Sequence, residues 1–168
     1  MKNLMAAMLL MTTTLLAGCG GGGGGGAAPA GPTKAVLTLS VAGVLPANTA
    51  IGIVDVTIEL PDGVTAGAPA VTAGSNVQTP FEFSLYTAAS GSDPATLKVT
   101  IGANTDPGFP AGVFATVVCD LNKTAPAATD FQFASGTFSA VGIVSGTSGT
   151  STTLLTGVLT PSMSVVFQ

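Results

Sequence analysis

Apolar and polar residues alternate along most of the chain after Thr33. The segment VLTLSV, residues 36–41, places Leu37, Leu39 and Val41 on one face and Thr38 and Ser40 on the other. VDVTIEL, residues 54–60, alternates in the same way before a Pro-Asp-Gly turn ends the run. A period of two is typical of strands with one face on a core and the other in water.

Seven further segments predict strands: FEFSLYT (81–87), ATLKVTIG (95–102), VFATVVCDL (113–121), DFQF (130–133), TFSAVGIV (137–144), TLLTGVLT (153–160) and MSVVFQ (163–168). In FEFSLYT, Phe81, Phe83 and Leu85 share one face, and Tyr86 lies on the polar face. VFATVVCDL is apolar on both faces, which is typical of a central strand. The low-complexity segment Ser145–Thr153 is predicted to be a loop.

The strand pattern also sets the fold class. No segment has a helical period, and turns rich in Gly, Pro, Ser, Thr and Asp separate the strands. We therefore expect an all-β domain over residues 34–168, an eight- to nine-stranded antiparallel β-sandwich of jelly-roll type.

The chain begins with a different composition. A lysine at position 2 precedes the apolar run 4–18, which is shorter than the ~20 residues of a membrane-spanning helix and is typical of a secretory signal. The residues Leu-Ala-Gly-Cys that end at Cys19 resemble the lipobox of bacterial lipoproteins. This resemblance implies a signal peptide over 1–18 and lipid on Cys19; the alternative is an ordinary secretory signal with an incidental cysteine. Gly20, where aspartate would resemble an inner-membrane retention signal, favours sorting to the outer membrane.

Seven glycines follow Cys19, and a Pro-containing stretch follows them. A phosphate-binding loop needs a preceding strand, a following helix and a Lys-Ser/Thr pair, none of which the sequence predicts here. Residues 19–33 are therefore predicted to be a Gly/Pro-rich tether, of which Gly20 to Pro32 can extend to roughly 45 Å at most.

Composition excludes several functions. Eight acids against four basic residues argue against nucleic-acid binding. The chain has no histidine, which excludes a His-based triad and a His-containing zinc site. With Cys19 lipidated, Cys119 has no disulfide partner, and its apolar surroundings favour a buried, inert thiol. We expect no cofactor, no metal site and no enzymatic activity.

A few side chains remain as candidates for binding. Asp55 and Glu59 lie about 13 Å apart along one strand, too far for a glycosidase pair. Calcium on Asp62, Asp106 or Asp120 would lack a dense oxygen-ligand spacing. Tyr86 and Phe109 are the candidate ligand-binding residues, because an exposed aromatic ring stacks on a sugar or contacts a partner. The alternatives are a surface tyrosine and a loop phenylalanine that folds over the core.

The segments IGIVDVTIELPDGV, ATLKVTIG, GFPAGVFATVVCDL and DFQF together resemble the cohesin-like family, over roughly residues 35–144. In that family a strand ends near a glycine, Gly112 here, before a core strand, and an Asp-Phe pair, Asp130-Phe131 here, opens a later strand. The resemblance implies a nine-stranded jelly-roll sandwich related to bacterial carbohydrate-binding modules. It also implies protein binding across a sheet face, as cohesins bind dockerins.

These observations together predict a non-catalytic, lipid-anchored binding or structural module of the cell envelope, with a protein as its partner. The alternative is a lipoprotein that binds polysaccharide. Its contact with the membrane would be through the lipid on Cys19.

Overall fold

The computed structural model describes residues 31–67, 70–104, 106–147 and 149–168. The predicted signal peptide, and residues 19–30 of the predicted tether, lie outside the described residues. Gly31–Gln168 forms one compact unit.

The described residues form eleven strands and one short 3-10 turn. In chain order they are β1 (Lys34–Ala42), β2 (Thr49–Leu60), β3 (Val64–Thr65), β4 (Val71–Ala73), β5 (Pro80–Thr87), β6 (Ala95–Ala103), β7 (Gly112–Leu121), the 3-10 turn (Ala128–Asp130), β8 (Gln132–Phe133), β9 (Ser139–Gly146), β10 (Gly149–Leu154) and β11 (Thr160–Phe167).

Two antiparallel sheets pack face to face, which confirms the all-β sandwich. The five-stranded sheet has the order β11-β1-β7-β3, and β4 also pairs with β7. The six-stranded sheet has the order β10-β9-β2-β6-β5, and β8 also pairs with β2. All nine predicted strand segments contain strand residues; β3 and β4, of two and three residues, are too short to show a period.

The core lies between the two sheets and is built from the alternating residues of the long strands. Leu37, Leu39 and Val41 of β1 are buried, as their spacing predicts. Val54 and Val56 of β2 are buried against them from the other sheet. Because each strand buries alternate residues, its remaining side chains form the two outer faces of the sandwich.

A bulge changes the predicted face of β7. Alternation along VFATVVCDL predicts that Val113, Ala115 and Cys119 share the face that meets the core. Ala115 and Cys119 are buried, but Val113 is exposed, and Phe114 is buried in its place. The register with β1 shifts at this point, where Leu39 pairs with Ala115 and the next residue of β1 pairs with Val113. A bulge adds one residue to a strand and so reverses the alternation on one side of it.

The boundaries of β10 also differ from the expectation. The segment 145–153, predicted to be a loop, contains the end of β9 and most of β10, and residues 155–159 form a turn inside the predicted strand 153–160. The amide of Val158 and that of Leu159 both donate to the carbonyl of Leu155. Because β10 is an edge strand with exposed Thr and Ser on both faces, it has no alternation to detect.

The orientation of β5 is the reverse of what an apolar face implies. Phe81, Phe83 and Leu85 point away from the core and are about half exposed. The opposite face contains Glu82, whose carboxylate accepts the backbone N–H of Ala73 at 2.7 Å, and thereby links β5 to the edge of the other sheet. Phe81 and Phe83 therefore lie outside the core, although the apolar face that they share with Leu85 favours burial.

Candidate functional site

The outer face of the six-stranded sheet carries a row of apolar residues that crosses five strands. The pairing registers set Phe81 opposite Gly102, Gly102 opposite Ile53, Ile53 opposite Val141, and Val141 opposite Leu154. We call these five residues the apolar row. Phe81 is 47% exposed and Leu154 is 75% exposed. With strands ~4.8 Å apart, the row is ~19 Å long.

Glycines within the sheet allow apolar side chains to lie flat on this face. A Cβ on Gly102 would come within 2.9 Å of Cγ1 of Ile53, and one on Gly52 would come within 2.8 Å of Cγ1 of Ile143. The two isoleucines therefore extend over neighbouring strands in space that any other residue would fill.

A small polar cluster lies beside the apolar row. The hydroxyl of Thr100 donates to Oδ1 of Asp55, and Nζ of Lys98 lies 3.8 Å from the same oxygen. Thr100 is 8% exposed although it faces outward, and Phe83 lies directly opposite it on β5. The outer face thus combines aromatic and aliphatic side chains with one ion pair, between Lys98 and Asp55.

Tyr86 lies in a cavity at one end of the sandwich, apart from this face. The cavity has a volume of about 360 Å³, and its lining includes Leu60, Pro61 and Pro94. Tyr86 is half-buried against the core, so it is not the freely exposed ring that the alternation predicts. The lining also includes Asp62, and Nζ of Lys123 donates a hydrogen bond of 2.6 Å to its Oδ2. This bond holds the pKa of the Asp62 carboxyl below its usual value. The ionised carboxylate is a hydrogen-bond acceptor, not a proton donor.

Phe109, the other candidate ligand contact, is 1% exposed. Its backbone bonds reciprocally with Ile51: each amide donates to the carbonyl of the other residue. Gly108 makes this approach possible, because its φ of 93° is one that favours glycine and a Cβ there would lie 2.3 Å from the carbonyl oxygen of Ile51. The burial of Phe109 favours the alternative, a loop residue that folds over the core.

Cys119 and Asp120, at the end of β7, are not free to react. Cys119 is fully buried, and burial raises the pKa of its thiol from 9.0 to about 11, with a smaller contribution from the charge of Asp120. Asp120 itself pairs with Lys34. Within the described ranges, no three Cys, Asp or Glu side chains come together as a metal site would require.

Every lysine in the described residues has an acidic partner: Lys34 with Asp120, Lys98 with Asp55, and Lys123 with Asp62. The same part of the chain contains eight acids, so its uncompensated charge is negative. The surface therefore presents apolar residues and unpaired carboxylates, and its positive charges are already engaged.

No protein-family model, curated protein or solved structure matches this chain. In the part of the chain that the structure describes, we find no helix with the length and apolarity needed to cross a membrane.

The apolar row is the feature that sequence reasoning missed. Two signals for it are present: Ile53 directly precedes the core residue Val54, and FEFSLYT has large side chains on both faces. An apolar residue out of phase with its strand indicates a bulge or a second apolar face, and the register of β2 does shift between Ile51 and Ile53. The local sequence does not reveal that five such residues align across the sheet.

Proposed function

We propose that this chain is a non-catalytic binding module, held on the cell envelope by lipid on Cys19, that binds a protein partner through the outer face of the six-stranded sheet. The observation that carries the proposal is the apolar row. Contiguous exposed apolar surface on a folded domain is typical of an interaction site. The absence of histidine and the pairing of the lysines support a role in binding rather than catalysis.

A second candidate is carbohydrate binding by the same face. Phe81 and Phe83 are exposed on one strand, and alternate residues of a strand lie ~7 Å apart. Two rings at this spacing can stack on successive sugars, and Lys98 and Asp55 on the next two strands provide hydrogen-bonding groups. The cavity at Tyr86 adds a second place where a sugar ring could contact an aromatic residue.

The partner class is tested with the double variant Phe81→Ser/Phe83→Ser. The full chain is extracted in detergent and used to capture proteins from native envelope, and in parallel is mixed with insoluble envelope polysaccharide. We expect protein capture to fall at least tenfold in this variant, because the substitutions remove both rings from the binding face. We expect neither the parent chain nor the variant to be retained on the glycan.

The matched control is Val118→Ser/Val166→Ser, which removes two exposed valines from the outer face of the other sheet. Capture by the control should equal that of the parent. Equal capture by the Phe81→Ser/Phe83→Ser variant refutes protein binding at this face, and retention on glycan that depends on the two rings establishes the second candidate instead.

The anchor is tested by Cys19→Ser. We expect the variant to lose incorporation of labelled fatty acid, to accumulate as uncut precursor and to leave the detergent phase in phase partitioning. Cys119→Ser is the control and should retain the label, since a fully buried thiol is not an acceptor. Equal labelling of Cys19→Ser and the parent contradicts the lipoprotein assignment.

A further inference from the structure

We propose that Asn122 is an acceptor site for an N-linked glycan, which an enzyme transfers to its side-chain amide from a lipid-linked oligosaccharide. The segment Asn122-Lys123-Thr124 fits the acceptor pattern, in which an asparagine is followed by any residue except proline and then by serine or threonine. No other asparagine of the chain is followed in this way. The proposal goes beyond the proposed function and shares with it only the export of the domain to the cell envelope.

The acceptor segment lies where an enzyme can reach it. Asn122 directly follows β7 and begins the irregular stretch that leads to the 3-10 turn, and all three residues of the segment are exposed. Glycans on asparagine are bulky and occur on surface loops. A depression of about 450 Å³ adjoins Asn122, with Pro32 and Leu121 in its lining. There is therefore space for a sugar ring beside the amide.

The side-chain amide of Asn122 can accept a sugar without losing its contact in the fold. Nδ2 donates one hydrogen bond, to Oγ1 of Thr65 at 3.0 Å, and an amide nitrogen carries two hydrogens. In the transfer, Nδ2 forms a bond to the anomeric carbon of the sugar, and the bond from that carbon to the diphosphate oxygen breaks. The lipid diphosphate leaves, and a base of the enzyme takes one proton from Nδ2. The second hydrogen remains, so the glycosylated side chain can still donate to Thr65.

An acidic residue two positions before Asn122 adds a group that an enzyme can recognise. The backbone amide of Asn122 donates to the carbonyl of Gly63, which continues the pairing of β7 with β3. Because alternate residues of an extended segment share a face, Asp120 and Asn122 lie on the same side. The Asp120 side chain is 44% exposed in its pair with Lys34. Exposed ion pairs are weak, so a basic residue of the enzyme can compete with Lys34 for this carboxylate.

A glycan at this position leaves the proposed binding face uncovered. Asn122 follows a strand of the five-stranded sheet, whereas the apolar row lies on the outer face of the six-stranded sheet. The amide of Leu121 donates to the carbonyl of Thr33, so the glycan would lie at the end of the sandwich where the chain enters β1. Capture of a protein through the apolar row should therefore not depend on the glycan.

The test is mass spectrometry of the full chain, extracted in detergent from native envelope and then digested. We expect the peptide that contains Asn122 to carry an added mass that fragments into sugar ions. Asn122→Gln should lose this mass, because glutamine does not fit the acceptor pattern. Thr124→Ala should also lose it although Asn122 is intact, and Thr124→Ser should retain it, because the pattern requires a hydroxyl at this position.

The matched control is Asn104→Gln, which removes another exposed asparagine, one that is not followed two residues later by serine or threonine. This variant should retain the added mass, and circular dichroism shows that each variant is folded. An unmodified Asn122 peptide from the parent chain overturns the proposal, and so does an added mass that persists in Thr124→Ala. Fatty acid on Cys19 in a sample without glycan on Asn122 refutes this proposal alone, because it supports the anchor of the proposed function.

Discussion

Phe109→Ala should lower the free energy of unfolding by about 3–5 kcal/mol, the cost of removing a buried phenylalanine side chain from a core. The ring is 1% exposed, and Gly108 allows its backbone to pair with Ile51 at a distance that no other residue tolerates. Because the truncation leaves a cavity between the loop and β2, the loop that ends at Pro110 should lose protection as well. Chemical denaturation followed by circular dichroism measures the loss of stability, and amide hydrogen exchange at Ile51 and Phe109 measures the local loss.

Phe81→Ala is the matched control for this experiment. Its ring is 47% exposed, so its truncation should cost less than about half as much as that of Phe109. The two variants should also differ in binding. Phe81→Ala should weaken capture of the partner, whereas Phe109→Ala should not change capture at temperatures where the domain is folded. If Phe109→Ala keeps its stability and loses binding, Phe109 contacts a ligand and the burial argument fails.

The thiol of Cys119 should react with maleimide at least a hundredfold more slowly in the folded chain than after denaturation. The fully buried sulfur is inaccessible, and a pKa raised from 9.0 to about 11 reduces the fraction of thiolate at neutral pH by about a hundredfold. Mass spectrometry of the time course gives both rates. Rapid labelling of the folded chain places Cys119 in an accessible site and refutes its assignment to the core.

The same thiol predicts that the domain loses stability at alkaline pH. Unfolded chains release the proton near pH 9.0, whereas the folded state retains it until about pH 11. Between these values the folded state binds more protons, so the free energy of unfolding falls as pH rises. The Cys119 thiol does not change the free energy of unfolding below about pH 9, and it lowers that free energy by on the order of 2–3 kcal/mol as the pH approaches 11.

Cys119→Ala isolates this contribution. The variant should be about 1 kcal/mol less stable at pH 7, as expected for a small truncation in a core. Its stability should then depend less on pH than that of the parent above pH 9, so the two curves should approach or cross. Parallel curves from pH 8 to 11 contradict a raised thiol pKa in the folded state.

Much of the fold follows from local pattern. β1 and β2 alternate strictly, and a period of two with turns on both sides determines which of their residues enter the core. The predictions fail where pairing with a neighbouring strand determines which side chains are buried or whether a strand forms. Val113 leaves the core because of a bulge opposite β1, and β10 is a strand only because β9 pairs with it.

The candidate site was less predictable because it depends on register. In β5 the period is visible in the sequence, but the face that meets the core depends on the register with β6, which sets Glu82 and Tyr86 opposite core residues of that strand. The five residues of the apolar row are distant in sequence and become neighbours only when five strands pair in one alignment. The glycine and proline that flank Phe109 indicate a loop, but only the pairing with Ile51 shows that this loop brings the ring into the core.

The point where the chain enters the sandwich has a mechanical consequence. The amides of Thr33 and Lys34 both donate to the carbonyl of Gln168, and β1 continues from there between β11 and β7. Tension from a membrane-held Cys19 would reach the domain along the axis of β1. Antiparallel hydrogen bonds run perpendicular to their strands, so axial tension would load both ladders of β1 in shear instead of opening them one bond at a time. With such an attachment, axial tension would have to break many hydrogen bonds of β1 together before the strand could leave the sandwich.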